Sequence, residues 1–247
     1  MRSEEKAVSE PEARLVWLRE EPCTRSPAHS RARIAAVAIE LADSEGFEAV
    51  SMRRVAQELG AGTMTLYHYV ANKDELVTLM LDRVMGEILV AEDELSAGWR
   101  LAIAAIATSS REALRRHRWM LDRLGDGRPG PNGMRHFEQS LEAMSSAGIS
   151  SRAMFEAIVL VDEYVFGFAI REAQESAEHD RGWAPGVREF FQRELDSGGF
   201  PRVRELLGDD ADAAVDRVAE VFFEAGRFER GLERLLDGIE AGLEPAG

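Results

Sequence analysis

Gly60 and Gly62 bracket a single alanine between two short apolar-patterned segments, and no other feature limits the possible folds of this chain so sharply. Before the glycines, Met52, Val55, Ala56 and Leu59 recur at helical spacing behind Ser51, a good N-cap. Gly60 ends that helix, and Gly60-Ala61-Gly62 reads as a tight turn with two residues able to adopt positive φ. A further short helix is predicted from Thr63 to about Tyr69. Two helices joined this closely must cross steeply, which is possible only where the facing side chains are small, as Ala56 and the glycines are. Residues 51–70 therefore read as a helix-turn-helix, the arrangement that places a helix in the DNA major groove.

The flanking sequence agrees with a helical setting. Ser30 is positioned to cap a helix running to about Glu45, with Ile34, Val37, Ala38 and Leu41 as its apolar stripe and Gly46 as its stop. Asn72 caps another, with Glu75 three residues later in capping-box fashion, expected to continue to about Leu95. Beyond Trp99 helices are predicted over 98–117, 118–124, 134–146, 151–175, 186–196, 201–207 and 211–242. The stretch 155–170 is apolar on nearly every side and reads as a buried central helix, whereas 125–133 is too rich in Gly and Pro for regular structure. No sustained alternating pattern occurs, so the expected class is all-α. A small three-helix unit at 30–75 is joined by a linking helix to a larger helical domain at 76–247. Residues 1–29, with Pro11, Pro22 and Pro27 among alternating charges, read as a mostly unstructured arm with one or two helical turns between Ala13 and Glu21.

Charge tests the DNA reading. The net charge is −15, yet residues 91–247 hold 30 acids against 19 bases, while 49–73 hold Arg53, Arg54 and Lys73 against Glu58 alone. An acidic body is repelled by phosphates, so docking is expected through one small face. On that face Thr63, Thr65 and Tyr67 offer hydroxyls to bases or phosphates, Met64 can cover a thymine methyl, and Arg53 can grip a guanine bidentately. His68 reads as a DNA contact in preference to a packing residue beside Tyr69. Lys73 opposes the dipole of the helix it begins, an arrangement better suited to a DNA phosphate than to helix stability.

The run GFEAVSMRRVAQELGAGTMTLYHYVANKDEL, Gly46 to Leu76, resembles the DNA-binding domain of the tetracycline-repressor family of bacterial regulators. Trp99, Arg111, Leu114 and His117, Gly130-Pro131-Asn132 and GRFERGLERLLDGIEAGL (226–243) extend the similarity to the C-terminal domain of the tetracycline-repressor subgroup. The resemblance implies a homodimer that represses from a palindromic operator in double-stranded DNA and is released by a small-molecule ligand bound in the larger domain. It implies pairing of the last helix with the long helix at 151–175 across the dimer. The last helix has apolar surface to spare for this, through Phe222, Leu232, Leu235 and Ile239 among others. Candidate ligand-binding residues are His117, Asn132, Phe137, Asp162 and Phe166.

One part of the resemblance fails. The positions that in the tetracycline repressor contact drug and metal fall here on Leu89, Ile106 and Leu124, none of which can ligate Mg²⁺. A magnesium–tetracycline chelate is therefore not the expected ligand, and no cofactor or metal site is expected. The five histidines and Cys23 show no metal-ligand spacing, no serine sits in a nucleophile elbow, and no enzyme activity is expected. A single cysteine, the lack of a long apolar run and an acidic N-terminus point to a cytoplasmic protein without a membrane partner. Two readings stay open: a ligand-responsive repressor, and a regulator with no small-molecule inducer that is constitutive or controlled by a protein partner.

Overall fold

A computed structural model describes residues 15–22, 29–123, 129–179 and 185–242. Cys23, Leu124 and residues 125–128 of the Gly- and Pro-rich loop lie outside the described residues. The described chain contains twelve α-helices and no β-strand. They are α1 Arg31–Glu45, α2 Met52–Glu58, α3 Thr63–Tyr69, α4 Lys73–Ile88, α5 Glu92–Leu95, α6 Trp99–Arg116, α7 Pro131–Ser145, α8 Ser151–His179, α9 Pro185–Asp196, α10 Pro201–Leu207, α11 Ala211–Phe223 and α12 Arg227–Ala241.

The contacts divide the chain into two compact units. One comprises residues 1–87 and 122–137, the other 88–121 and 138–247. The first thus contains nearly all of α4 and the first half of α7, so the boundary expected at 75 falls inside one packed body.

In the first unit the N-caps lie where hydroxyls and an amide are available. Ser30 Oγ accepts from Arg33 N at 3.1 Å, Ser51 Oγ from Arg54 N at 3.2 Å, and Asn72 Oδ1 from Glu75 N at 2.8 Å. Each satisfies a backbone donor that the helix cannot. Of the two glycines in the tight turn only Gly60 takes positive φ, at 64°; Gly62, at −74°, is the extended N-cap of α3. The stripe Ile34, Val37, Ala38 and Leu41 is buried with Val50, Val55, Leu66, Tyr69, Val70, Leu76 and Met80. Full burial of side chains of this size stabilises by about 1.5–3 kcal/mol each, enough to hold α2 and α3, which are too short to persist alone.

Residues expected to be an arm are partly built into this unit. Val16–Leu18 form a 3₁₀ turn with Val16 only 2% exposed. The helix expected to reach Leu95 instead stops at Ile88, because Gln139 captures the backbone of Val90. Its Oε1 accepts from Val90 N at 3.2 Å and its Nε2 donates to Val90 O at 3.0 Å.

In the second unit α6 packs on α8, and α8 on α12. Tyr164 and Phe168 of α8 meet Phe228 of α12, with ring centroids 5.5 Å and 5.1 Å from that of Phe228. Arg111 of α6 lies over Phe168 and Phe228 and bonds Glu172 Oε1 at 2.7 Å. The expected helix 211–242 is two helices, since Gly226 turns the chain at φ 77°. α8, expected as a buried central helix, is covered by its own chain on one side only. Ile158, Val161 and Val165 are buried, but Phe155, Leu160 and Ile170 are exposed. Apolar composition all round the helix could not reveal which face the chain itself covers.

Candidate functional site

The outward surface of the helix-turn-helix follows from what the short helices must bury. Leu66 and Tyr69 of α3 are each 1% exposed, so the remaining positions are turned out. Met64 is 72% exposed and Tyr67 44%, His68 is exposed, and Thr63 and Thr65 are half-buried. Met64, Tyr67 and His68 lie three and four residues apart and so share the outer face of the helix.

The two neighbouring arginines of α2 differ in availability. Arg54 is held by Glu45 at 2.9 Å and by Glu58, whereas Arg53 is exposed and has no ion pair among the described residues. Lys73, at the first position of α4, rests its ammonium 4.7 Å from the centre of the Phe47 ring. That contact holds a long cation in place without neutralising it. Of the seven sequence-predicted residues, five lie on α3, with Arg53 on α2 and Lys73 at the start of α4.

The five candidate ligand residues are divided between the two units. His117, Asp162 and Phe166 belong to the second unit, Asn132 and Phe137 to the first. His117 is buried at the end of α6, 6.4 Å from the Trp119 ring. Phe137 is 37% exposed. Asn132 is corrected outright, because its polar atoms are already engaged. Its N accepts no ligand: it donates to Asp82 Oδ1 at 2.9 Å, Nδ2 donates to Asp82 O at 3.0 Å, and Oδ1 accepts from Arg135 at 2.8 Å. Asp162 is half-buried, and burial pushes its carboxyl up to about 6.

A cavity of about 450 Å³ in the second unit is lined by residues including Leu89, Val90, Ala105, Thr108 and Ser109, and by none of the five candidates. Leu89, one of the apolar replacements noted above, lines it; Ile106 is buried in the core at 4% exposure, and Leu124 lies outside the described residues. Among the described residues no cluster of three or more His, Cys, Asp or Glu could hold a metal ion. No described helix is long and apolar enough to cross a membrane.

The candidate interface on the last helix is also revised. Leu232 and Ile239 turn inward with Phe228 and Leu236 and are buried within the single chain. Phe228, Leu232, Leu236 and Ile239, at i, i+4, i+8 and i+11, form one stripe, and that stripe is already covered. Leu235 and Phe222 are half-buried.

Residues 34–80 match the family described as bacterial regulatory proteins, tetR family, and residues 93–243 match the tetracyclin repressor-like C-terminal domain. The chain belongs to the tetracycline-repressor family. It is a DNA-binding transcriptional regulator of that family. It is 37% identical over 217 residues to the HTH-type transcriptional repressor DrrR1 of Streptomyces coeruleorubidus, covering 84% of this chain and 76% of that one. It is 31% identical over 225 residues to the class D tetracycline repressor of Escherichia coli, covering 87% and 90%. Among solved structures it resembles the Streptomyces coelicolor family member ActR in complex with actinorhodin, with a TM-score of 0.66, 27% identity, and coverage of 90% of this chain and all of that one.

Sequence reasoning missed Asp82 and Arg31. Asp82 had a signal, since it is an acid between the apolar positions of α4 at Leu79, Met80 and Val84. Arg31 had none, because its partners are backbone carbonyls supplied by distant segments.

Proposed function

We propose that this repressor reads its operator through Arg53, Thr63, Met64, Thr65, Tyr67, His68 and Lys73, with 30–75 as the DNA-reading domain and 76–247 binding ligand and forming the dimer. The observation that carries the reading is the contrast at α2 and α3. Met64, Tyr67 and His68 are exposed, and Arg53 has no ion pair among the described residues while its neighbour is held by two acids. A dimer must hold its two recognition helices about 34–36 Å apart to enter successive major grooves. Ligand-induced movement of α4, which begins with Lys73, changes that separation and releases one half-site. Coupling of about 1–3 kcal/mol is sufficient.

The dimer seam is assigned to the outward faces of α8 and α12. Glu156, Leu160, Glu163, Gly167, Ile170 and Gln174 are all exposed on α8 at spacings of four and three residues, the pattern of a helix-pairing seam. Leu235 of α12, expected from the sequence, is kept in it, and the inward Leu232 and Ile239 are not.

The ligand is proposed to be an organic molecule held by apolar contacts and Asp162, Phe166 and His117, and not a magnesium–tetracycline chelate. Leu89 and Ile106 support this, being unable to coordinate a metal. ActR, a related structure, carries actinorhodin. The protein is read as cytoplasmic, without cofactor and without enzymatic activity. A second reading, regulation without a small molecule, is favoured by one observation: the described cavity is lined by none of the candidate ligand residues.

Footprinting on DNA flanking the gene, repeated with candidate ligands, tests these readings together. A protected palindrome that becomes accessible with one ligand class supports the first. Protection that no ligand relieves supports the second, and absence of any protection removes both.

A further inference from the structure

The recognition helix α3 has seven residues and no side-chain cap at its N-terminus, so its own hydrogen bonds cannot fix its position. Its last carbonyl, that of Tyr69, is met from outside. Arg31 Nε donates to Tyr69 O at 3.1 Å, while Nη1 of the same side chain donates to Arg19 O at 2.8 Å and Nη2 to Glu20 O at 3.5 Å. One guanidinium thus ties the end of the recognition helix to residues 19–20. Arginine is suited to this because its planar fork presents several donors in fixed directions, and a cation is favoured at a helix C-terminus.

A second tie lies on the other side of the same turn. Arg19 pairs with Glu75 Oε2, and that oxygen also accepts from Ala71 N at 2.7 Å, within the link between α3 and α4. Residues 16–17 supply the anchor. Val16 is buried, and Gly130 lies so close to Trp17 and to the Asp82 carboxylate that a Cβ there would overlap both. All these residues belong to the first unit, and residues 15–31 precede the segment matched by the family's DNA-binding domain.

We propose that residues 15–22 form a positioning strap for the recognition helix, with Arg31 and Arg19 the residues that fasten it to α3 and to the start of α4. The proposal rests on the DNA-reading assignment of α3. Without the strap α3 still folds against α2, but its exit is no longer fixed in orientation. Operator discrimination is then lost before general affinity for DNA, because base contacts depend on placement and phosphate contacts largely on charge.

The test uses the full chain, its operator fragment and an unrelated duplex at one salt concentration. Arg31→Ala is expected to weaken operator binding about tenfold, the consequence of losing hydrogen bonds from a charged donor, with binding to the unrelated duplex changed less than about twofold. Arg31→Lys, able to serve one carbonyl, falls between. The amide of Val70, which donates to Leu66 O at 3.0 Å at the end of α3, exchanges faster in Arg31→Ala. Arg19→Glu, which sets a carboxylate against that of Glu75, weakens operator binding by about threefold to tenfold, and Arg19→Lys retains it.

Unchanged operator affinity in both Arg31→Ala and Arg19→Glu overturns the strap, as does an equal loss on both duplexes. If Arg31→Ala melts too low to assay, the Arg19 pair decides the matter in the same way. Failure of the unaltered chain to prefer its operator would remove the DNA-reading assignment instead, a result distinguishable from either.

Discussion

The carboxylate of Asp82 on α4 accepts hydrogen bonds through one oxygen from the backbone N–H of Asn132 at 2.9 Å and of Gly133 at 3.1 Å, the first turn of α7. It is an N-cap supplied by another helix, and Asn132 Nδ2 returns a bond to the Asp82 carbonyl at 3.0 Å. Asp82 is 6% exposed, so water cannot replace it. Asp82→Ala is expected to lower stability by about 2 kcal/mol, and Asp82→Asn by less because an acceptor remains. Urea unfolding monitored by circular dichroism gives both values. Equal midpoints for the alanine variant and the parent would refute the cap.

Lys73 is expected to act through charge alone. Lys73→Ala should weaken operator binding for every sequence alike and make the salt dependence shallower by about one ion, whereas Tyr67→Ala should weaken it with little change in slope. Both variants should remain dimeric in analytical ultracentrifugation. A Lys73→Ala protein with the parent's salt slope would show that its ammonium, 4.7 Å from the Phe47 ring centre, never reaches a phosphate.

Asp162 makes stability depend on pH. Its carboxyl lies at about 6 in the folded protein against an ordinary value of 3.8, raised by burial. The folded state therefore binds a proton that the unfolded state releases between these values. The contribution is fully present below pH 3.8 and is lost as pH rises through about 6. Asp162→Asn should be more stable than the parent above pH 6, by up to about 3 kcal/mol, with the advantage shrinking towards pH 4. Parallel melting curves across that range would count against a carboxyl raised by burial.

Arg111 joins three helices of the second unit. It bonds Glu172 at 2.7 Å, approaches Glu229 at 3.4 Å and covers the faces of Phe168 and Phe228. Its side chain and that of Glu172 are only 22% and 25% exposed, so solvent screens the pair weakly. Arg111→Ala should cost about 2–3 kcal/mol, combining lost packing with loss of the two-pronged bond to a half-buried carboxylate. Arg111→Lys should recover only part of this because it lacks the fork that meets both Glu172 oxygens. Thermal melting of the two variants, with full recovery in the lysine form, would contradict that geometry.

The legible part of this fold was the local part. Ser30, Ser51 and Asn72 cap their helices with side chains bonded within three residues, and Leu66 and Tyr69 are buried because periodicity of the short helices leaves no other inward positions. The same periodicity turns Met64, Tyr67 and His68 outward. Errors arose where a distant group intervened. Gln139 ends α4 by taking the backbone of Val90, and Gly226 was read through because the apolar pattern continues on both sides of it. Asn132 looked available only because its partner, Asp82, is fifty residues away in sequence.

The Gly60-Ala61-Gly62 turn and its flanking apolar stripes determined from sequence alone that this chain carries a DNA-reading pair of helices, since backbone sterics and side-chain periodicity act over a few residues. Tertiary structure decided which of two adjacent arginines is left unpaired, that Leu232 and Ile239 face their own chain, and that residues 15–22 fasten to the end of the recognition helix. Those outcomes depend on hydrogen bonds and buried surfaces between segments far apart in the chain, whose energies appear only once the fold has brought the segments together.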